Sequence, residues 1–214
     1  MLREHTFKHV LFLLLIIIFA VAGCTGSAPP RFYTLNSLDT AAANDKSVSR
    51  ERAITVSIGP VVIPDYLDRP QIVTRTGRNE LTLAEFDRWP GSLKQDISRV
   101  LLDNLSTLLY EKQVSVIPWK KAIPSEGRVT VDINVFDIYL SDHVILKANW
   151  IIFDRDGKKI VTMKESSYRE SVSGKSYDSA VAAMSKSLIS LSRDIAEAIK
   201  GFAASQSGVH LQKK

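Results

Sequence analysis

The chain has 214 residues, 45% of them apolar and 24% charged, with a formal net charge of +5 and a single cysteine. These proportions belong to a folded globular chain, long enough for one domain with a real core. The positive surplus is dispersed, with no basic run longer than Lys120-Lys121 or Lys213-Lys214. Nucleic-acid binding needs a concentrated basic stripe, so no nucleic-acid partner is expected.

At the N-terminus, Arg3 and Lys8 precede residues 10–21, an apolar run without a charged or strongly polar side chain. The run is shorter than the roughly 20 residues that a membrane-spanning helix needs. Ending in the small residues Ala22 and Gly23, it has the three-part layout of a secretory signal. The string Val21-Ala22-Gly23-Cys24 resembles the lipobox of bacterial lipoproteins, with valine in place of the more usual leucine. That resemblance implies a diacylglyceryl thioether on Cys24, cleavage before it and acylation of the new amino terminus. Several acyl chains on one residue supply the two signals that stable anchoring takes. Thr25 stands where aspartate would mark inner-membrane retention in enteric bacteria, so the outer membrane, facing the periplasm, is the expected location. With Cys24 acylated, the mature chain has no thiol for a disulfide, a nucleophile or a thiolate metal site. The expected division is a signal peptide over 1–23, a lipidated tether over 24–31, one domain over 32–202 and a flexible tail over 203–214.

Within the domain, residues 32–35 (Phe-Tyr-Thr-Leu) predict a first strand and 39–52 a polar loop. Residues 54–63 predict a strand, bent or bulged at Gly59-Pro60. Residues 71–76 and 80–83 flank Gly77-Arg78-Asn79 as a hairpin. Trp89-Pro90-Gly91 precedes a helix in which Ser92 and Gln95 form a capping box. Leu93, Ile97, Val100, Leu101, Leu105 and Leu108 then recur at helical spacing, and Asp96, Arg99, Asp103 and Asn104 are expected on the opposite, wet side.

A short strand follows at 114–117, and then the strongest alternation in the chain. Val129, Val131, Ile133 and Val135 alternate with polar residues before the apolar phase moves to Phe136, Ile138 and Leu140, predicting a bulge or twist near Phe136-Asp137. Val144, Leu146, Ala148, Trp150 and Ile152 continue after a turn at Ser141-Asp142, and Asp156-Gly157 leads into a more polar edge strand over 159–172. A final helix is expected over 177–200 with Gly201 as its stop. Its stripe of Val181, Met184, Leu188, Leu191, Ile195 and Phe202 suits a core face, or an oligomer seam. The fold class is α+β: a mainly antiparallel sheet with two long helices packed on one face.

Chemistry is sparse. His5 and His9 leave with the signal, His210 lies in the tail, and His143 stands alone at a strand turn. Three or four converging ligands are therefore lacking and no metal is expected. The G-x-S-x-G elbow, the phosphate cradle and the dinucleotide turn are all missing, so no catalytic residues and no cofactor are expected. One segment is distinctive: Tyr66-Leu67-Asp68-Arg69-Pro70-Gln71-Ile72-Val73-Thr74-Arg75, with a second proline at Pro64. Its restrained loop reads equally as a rigid recognition surface and as a corner whose Tyr66 and Leu67 plug the core. Asp65 and Asp68, beside Arg69, read as turn caps or ion-pair members.

The same ten residues resemble the motif of the ABC-type transport auxiliary lipoproteins, the paraquat-inducible protein C (PqiC) group. Phe32-Tyr33-Thr34-Leu35 after the cysteine, residues 86–89 and Leu101-Leu102-Asp103-Asn104-Leu105 agree in order. The resemblance implies a non-enzymatic lipoprotein that accompanies MCE-domain lipid-transport machinery and supports envelope integrity. Its expected partners are the membrane, through acylated Cys24, an MCE-domain tunnel protein, and further copies of itself in a possible homo-oligomeric ring. Tyr66, Leu67, Asp68, Arg69 and Pro70 are the candidate contact residues. The alternatives are an assembly factor for an outer-membrane protein and a periplasmic lipid carrier. The carrier would need an apolar cavity between sheet and helices, lined by Val131, Ile133, Leu146 and Trp150.

Overall fold

The computed structural model describes residues 28–38 and 54–211, with side chains as far as 206. Cys24, the signal segment and the predicted loop at 39–52 lie outside the described residues. The elements are β1 (Arg31–Phe32), β2 (Ile54–Val62), a 3-10 turn (Asp65–Leu67), β3 (Gln71–Arg75), β4 (Leu81–Arg88) and α1 (Leu93–Leu109). A second 3-10 turn (Tyr110–Lys112) leads to β5 (Val114–Pro118), β6 (Gly127–Tyr139), β7 (His143–Asp154), β8 (Ile160–Ser171) and α2 (Tyr177–Leu211).

The class is α+β, but the sheets are mixed where mainly antiparallel pairing is expected. One sheet has the order β1-β4-β3 and the other β5-β2-β6-β7-β8. The meander β6-β7-β8 is antiparallel as the turn residues predict, whereas β2 runs parallel to both β5 and β6, and β1 runs parallel to β4. The cause is connectivity. Between β2 and β5 the chain makes a long excursion through α1, and such a crossover returns a strand in the same direction.

Both helices lie on one face of the five-stranded sheet, α1 against β2 and β5 and α2 against β7 and β8, and they pack on each other. The facing pairs Val129–Ile152, Val131–Trp150, Ile133–Ala148, Phe136–Leu146 and Ile138–Val144 are all buried beneath them. The change of apolar phase is absorbed by a bulge. Register slips between Ile133 and Val135, so Asn134 is the extra residue, two positions before the expected site. Because a bulge inserts one residue, Phe136 and Ile138 return to the face that Ile133 occupies. Val131, Ile133, Leu146 and Trp150 are at most 1% exposed. They are packed core, so the cavity that a carrier would need is filled.

Helix α1 starts where the cap predicts, with the Ser92 hydroxyl accepting from the Gln95 backbone N–H. Its stripe is buried as expected from Leu93 to Leu105, but Leu109 and not Leu108 completes it, and Asn104 is fully buried and not on the wet side. Asn104 lies between the helices, where its amide oxygen accepts from Leu38 N–H and its amide nitrogen donates to Ser192. Helix α2 runs through Gly201 and continues to Leu211. Phe202 is buried and its ring lies 2.8 Å from where a Cβ on Gly127 would stand. A core contact one residue beyond the glycine thus outweighs its stop signal, worth only about 1 kcal/mol. Gly127→Ala should push this ring aside and lower stability by about 1 kcal/mol. A Gly127→Ala, Phe202→Ala double variant losing less than the sum of the singles, read by urea denaturation, would confirm the clash, and strict additivity would refute it.

Candidate functional site

The distinctive ten-residue segment wraps the junction between the two sheets, where β3 lies against β6. After β2 the chain passes Pro64 into the 3-10 turn, closed by Leu67 N–H on the Pro64 carbonyl at 3.0 Å. Leu67 is buried in the core. Tyr66 is half-buried and its hydroxyl donates to Asp137 Oδ1 at 2.7 Å. Arg75, at the far end of the motif, donates from Nε to Asp137 Oδ2 at 2.7 Å and from Nη1 to the Arg78 carbonyl. One carboxylate on β6 therefore clasps both ends of the motif. Asp137 itself is only 8% exposed.

The rest of the loop is tied to α1. Trp89 N–H donates to the Pro70 carbonyl at 2.7 Å, and the Ser92 hydroxyl donates to Asp68 Oδ1 at 3.4 Å. Asp65, Asp68 and Pro70 remain exposed, while Arg69 is half-buried with no hydrogen-bond partner for Nε. The sequence motif thus divides: Tyr66, Leu67 and Arg75 turn inward to fix the corner, and Asp65, Asp68 and Pro70 form its outer rim. Sequence reading missed Asp137 as the hub. The available signal was an acid set between Phe136 and Ile138 where the apolar phase changes, since such an acid needs a paired donor once buried.

Electrostatics follows the geometry. Burial, and then the hydrogen bond to Asp137, push the Tyr66 phenol up to about 12. The bond to Asp137 holds Arg75 above its ordinary value. An unfolded tyrosine titrates near 10, so the folded state keeps this proton longer. Its stabilising contribution is complete below pH 10 and is lost as pH rises from 10 through 12. Tyr66→Phe should therefore cost about 1 kcal/mol at neutral pH, with the gap to the parent narrowing toward pH 11. Urea unfolding at the two pH values measures it, and a pH-independent gap would contradict the assignment.

A second cluster holds the N-terminal segment. Asp87 pairs with Arg31 and accepts from the Tyr33 hydroxyl at 2.7 Å. Three successive donors then enter the helix layer: Leu35 N–H to Asp96, Asn36 N–H to the Ser185 hydroxyl and Leu38 N–H to Asn104 Oδ1. The Asn104 amide nitrogen donates onward to Ser192 on α2 at 3.1 Å. His143 is buried at the β6–β7 turn and stacked on Tyr139, with Nδ1 2.9 Å from Asp142 Oδ2 and 3.0 Å from Arg169 Nη2, of which one tautomer can bond only one. Among the described residues, no group of three or more His, Cys, Asp or Glu could hold a metal ion, and no helix is long and apolar enough to cross a membrane.

The family model for the ABC-type transport auxiliary lipoprotein component matches residues 33–196, from the N-terminal seam through the clasped corner and into α2. The chain belongs to this family of auxiliary lipoproteins. No curated protein matches the chain at a significant level. Among solved structures, an uncharacterised protein aligns with a TM-score of 0.66 at 18% identity, over 80% of this chain and 99% of its own. A Xanthomonas campestris protein of the DUF330 family aligns with a TM-score of 0.60 at 13% identity, over 83% of this chain and 97% of its own. At these identities the likeness is one of fold. In this auxiliary lipoprotein the matched span contains every element from β2 to β8, so the clasped corner sits inside the region that defines the family.

Proposed function

We propose that this lipoprotein is a non-enzymatic accessory subunit of an MCE/ABC-type intermembrane lipid transport system. Acylated Cys24 holds it at the outer membrane facing the periplasm, and the Tyr66–Pro70 corner docks on the end of a conduit built by an MCE-domain protein. The observation that supports this reading is the division of labour within the motif. Its inward residues lock the backbone to Asp137, and its outer residues are left on a rigid corner. Rigid exposed loops lose little entropy on binding, which favours them as contact surfaces. The anchor contributes by confinement, since from Cys24 to Arg31 the chain reaches at most about 25 Å, and tethering raises the local concentration at the membrane.

Asp68→Ala combined with Arg69→Ala should abolish co-purification with the MCE-domain protein while changing stability by less than about 1 kcal/mol. Undiminished capture would remove this corner from the interface. Labelled palmitate should enter the parent chain and not Cys24→Ser, and equal incorporation into both would dispose of the anchor.

A further inference from the structure

We infer that the open face of the five-stranded sheet binds one anionic lipid, with an acyl chain along an apolar groove and the phosphate at Arg128. The helices cover one face of this sheet, and strand alternation sends Val62, Thr130, Ile151, Phe153 and Met163 to the other. There they line a groove of about 910 Å³, within the roughly 300–1,000 Å³ of small-ligand sites. Val62 is 46% exposed and Met163 60%. Clustered exposed apolar side chains of this kind mark binding surfaces.

One end of the groove is cationic. The Arg128 guanidinium lies between the rings of Trp119, at 5.4 Å, and Phe153, at 5.2 Å. Its Nε is buried without a hydrogen-bond partner, and among the described residues no carboxylate pairs with it. The aromatic pair fixes the cation's position without neutralising its charge, so the planar fork is left for an outside anion, with phosphate a good geometric match. A second hollow of about 470 Å³ shares Trp119 and Arg128 and adds Lys120, Lys121 and Arg155. Its two lining acids are Asp154, which accepts from the N–H groups of Lys158 and Lys159, and Asp156, against the four cations. The groove is also lined by the polar Asp132, Asn149, Lys164 and Glu165, which bound its apolar length.

An apolar trough that opens at a fixed cation into a basic hollow has the polarity of a single phospholipid. A peptide fits less well. A peptide would pair along the free edge of β8, whereas the groove lies over side chains of the sheet face, which offer no backbone groups, and an acyl chain needs none.

The test uses the full chain in phosphatidylcholine vesicles doped with phosphatidylglycerol carrying a photoactivatable diazirine on its acyl chain, with labelled peptides located by mass spectrometry. Label is expected on β7 and β8 peptides at Ile151 and Met163. Arg128→Gln should reduce it about ten-fold, and so should Met163→Glu, a change at an exposed position that spares the core. Diacylglycerol with the same diazirine chain should leave both peptides unlabelled. Label confined to peptides outside this sheet, equal labelling by the uncharged probe, or no effect of either variant would overturn the inference. So would a crosslinked dimer through Met163 with no lipid adduct, which would show that a second copy covers the face. Because no conduit protein is present, this test succeeds or fails independently of the docking reading.

Discussion

Replacing Asp137 by alanine should lower the unfolding free energy by about 3 kcal/mol, among the largest single-site losses expected outside the apolar core. Its carboxylate takes the Tyr66 hydroxyl and Arg75 Nε at 2.7 Å each, and Arg75 is itself only partly exposed. Removing it strands a donor on a half-buried phenol and a guanidinium with no counter-charge. Asparagine is a poor substitute, because its amide nitrogen would face one of the two donors, so Asp137→Asn should cost nearly as much. A cycle with Tyr66→Phe should show a coupling of about 1 kcal/mol. Denaturant titration of the three variants decides it, and a loss below about 1 kcal/mol for Asp137→Ala would mean that the clasp is incidental. On the docking reading proposed above, the same variant should also lose the MCE-domain protein, because the corner's shape depends on this carboxylate even though Asp137 is not on the rim.

Asn104→Ala should cost about 2 kcal/mol. The side chain is fully buried, its oxygen accepts from Leu38 N–H at 2.7 Å and its nitrogen donates to Ser192. Alanine leaves one backbone donor and one hydroxyl acceptor unsatisfied between two packed helices, together with a small void. Pairing it with Ser192→Ala should cost less than the sum, since the bond between the two side chains is lost in either single variant. Hydrogen exchange offers a second readout: amides of residues 35–38 should lose protection in Asn104→Ala well before those of β6 and β7. Unchanged protection there would show that the segment is held by other means.

What was legible in the sequence was what local periodicity encodes. The stripe of Leu93, Ile97, Val100, Leu101 and Leu105, the Ser92 cap and the alternation of Val129 through Ile133 each state their own structure within a few residues. The direction of β5 did not, because five residues look the same in a parallel or an antiparallel pair. The bulge was legible as a change of phase but not as a position. Asn134 and the residues after it satisfy the pattern equally well until the partner strand is known. Asn104 failed for a different reason. Polarity assigns it to solvent unless a donor and an acceptor await it inside, and those come from Leu38 and Ser192, 66 and 88 positions away. Asp137 follows the same logic. Its neighbours in sequence are apolar, and its partners arrive from a segment more than 60 residues earlier.

The seam along residues 35–38 has a mechanical consequence. Its three backbone donors tie one short run to both helices, through Asp96 and Asn104 on one and Ser185 on the other. If the anchor proposed at Cys24 pulls, the load would meet the β1–β4 pairing and the Arg31–Asp87 pair first and this built-in strap next, ahead of the antiparallel meander.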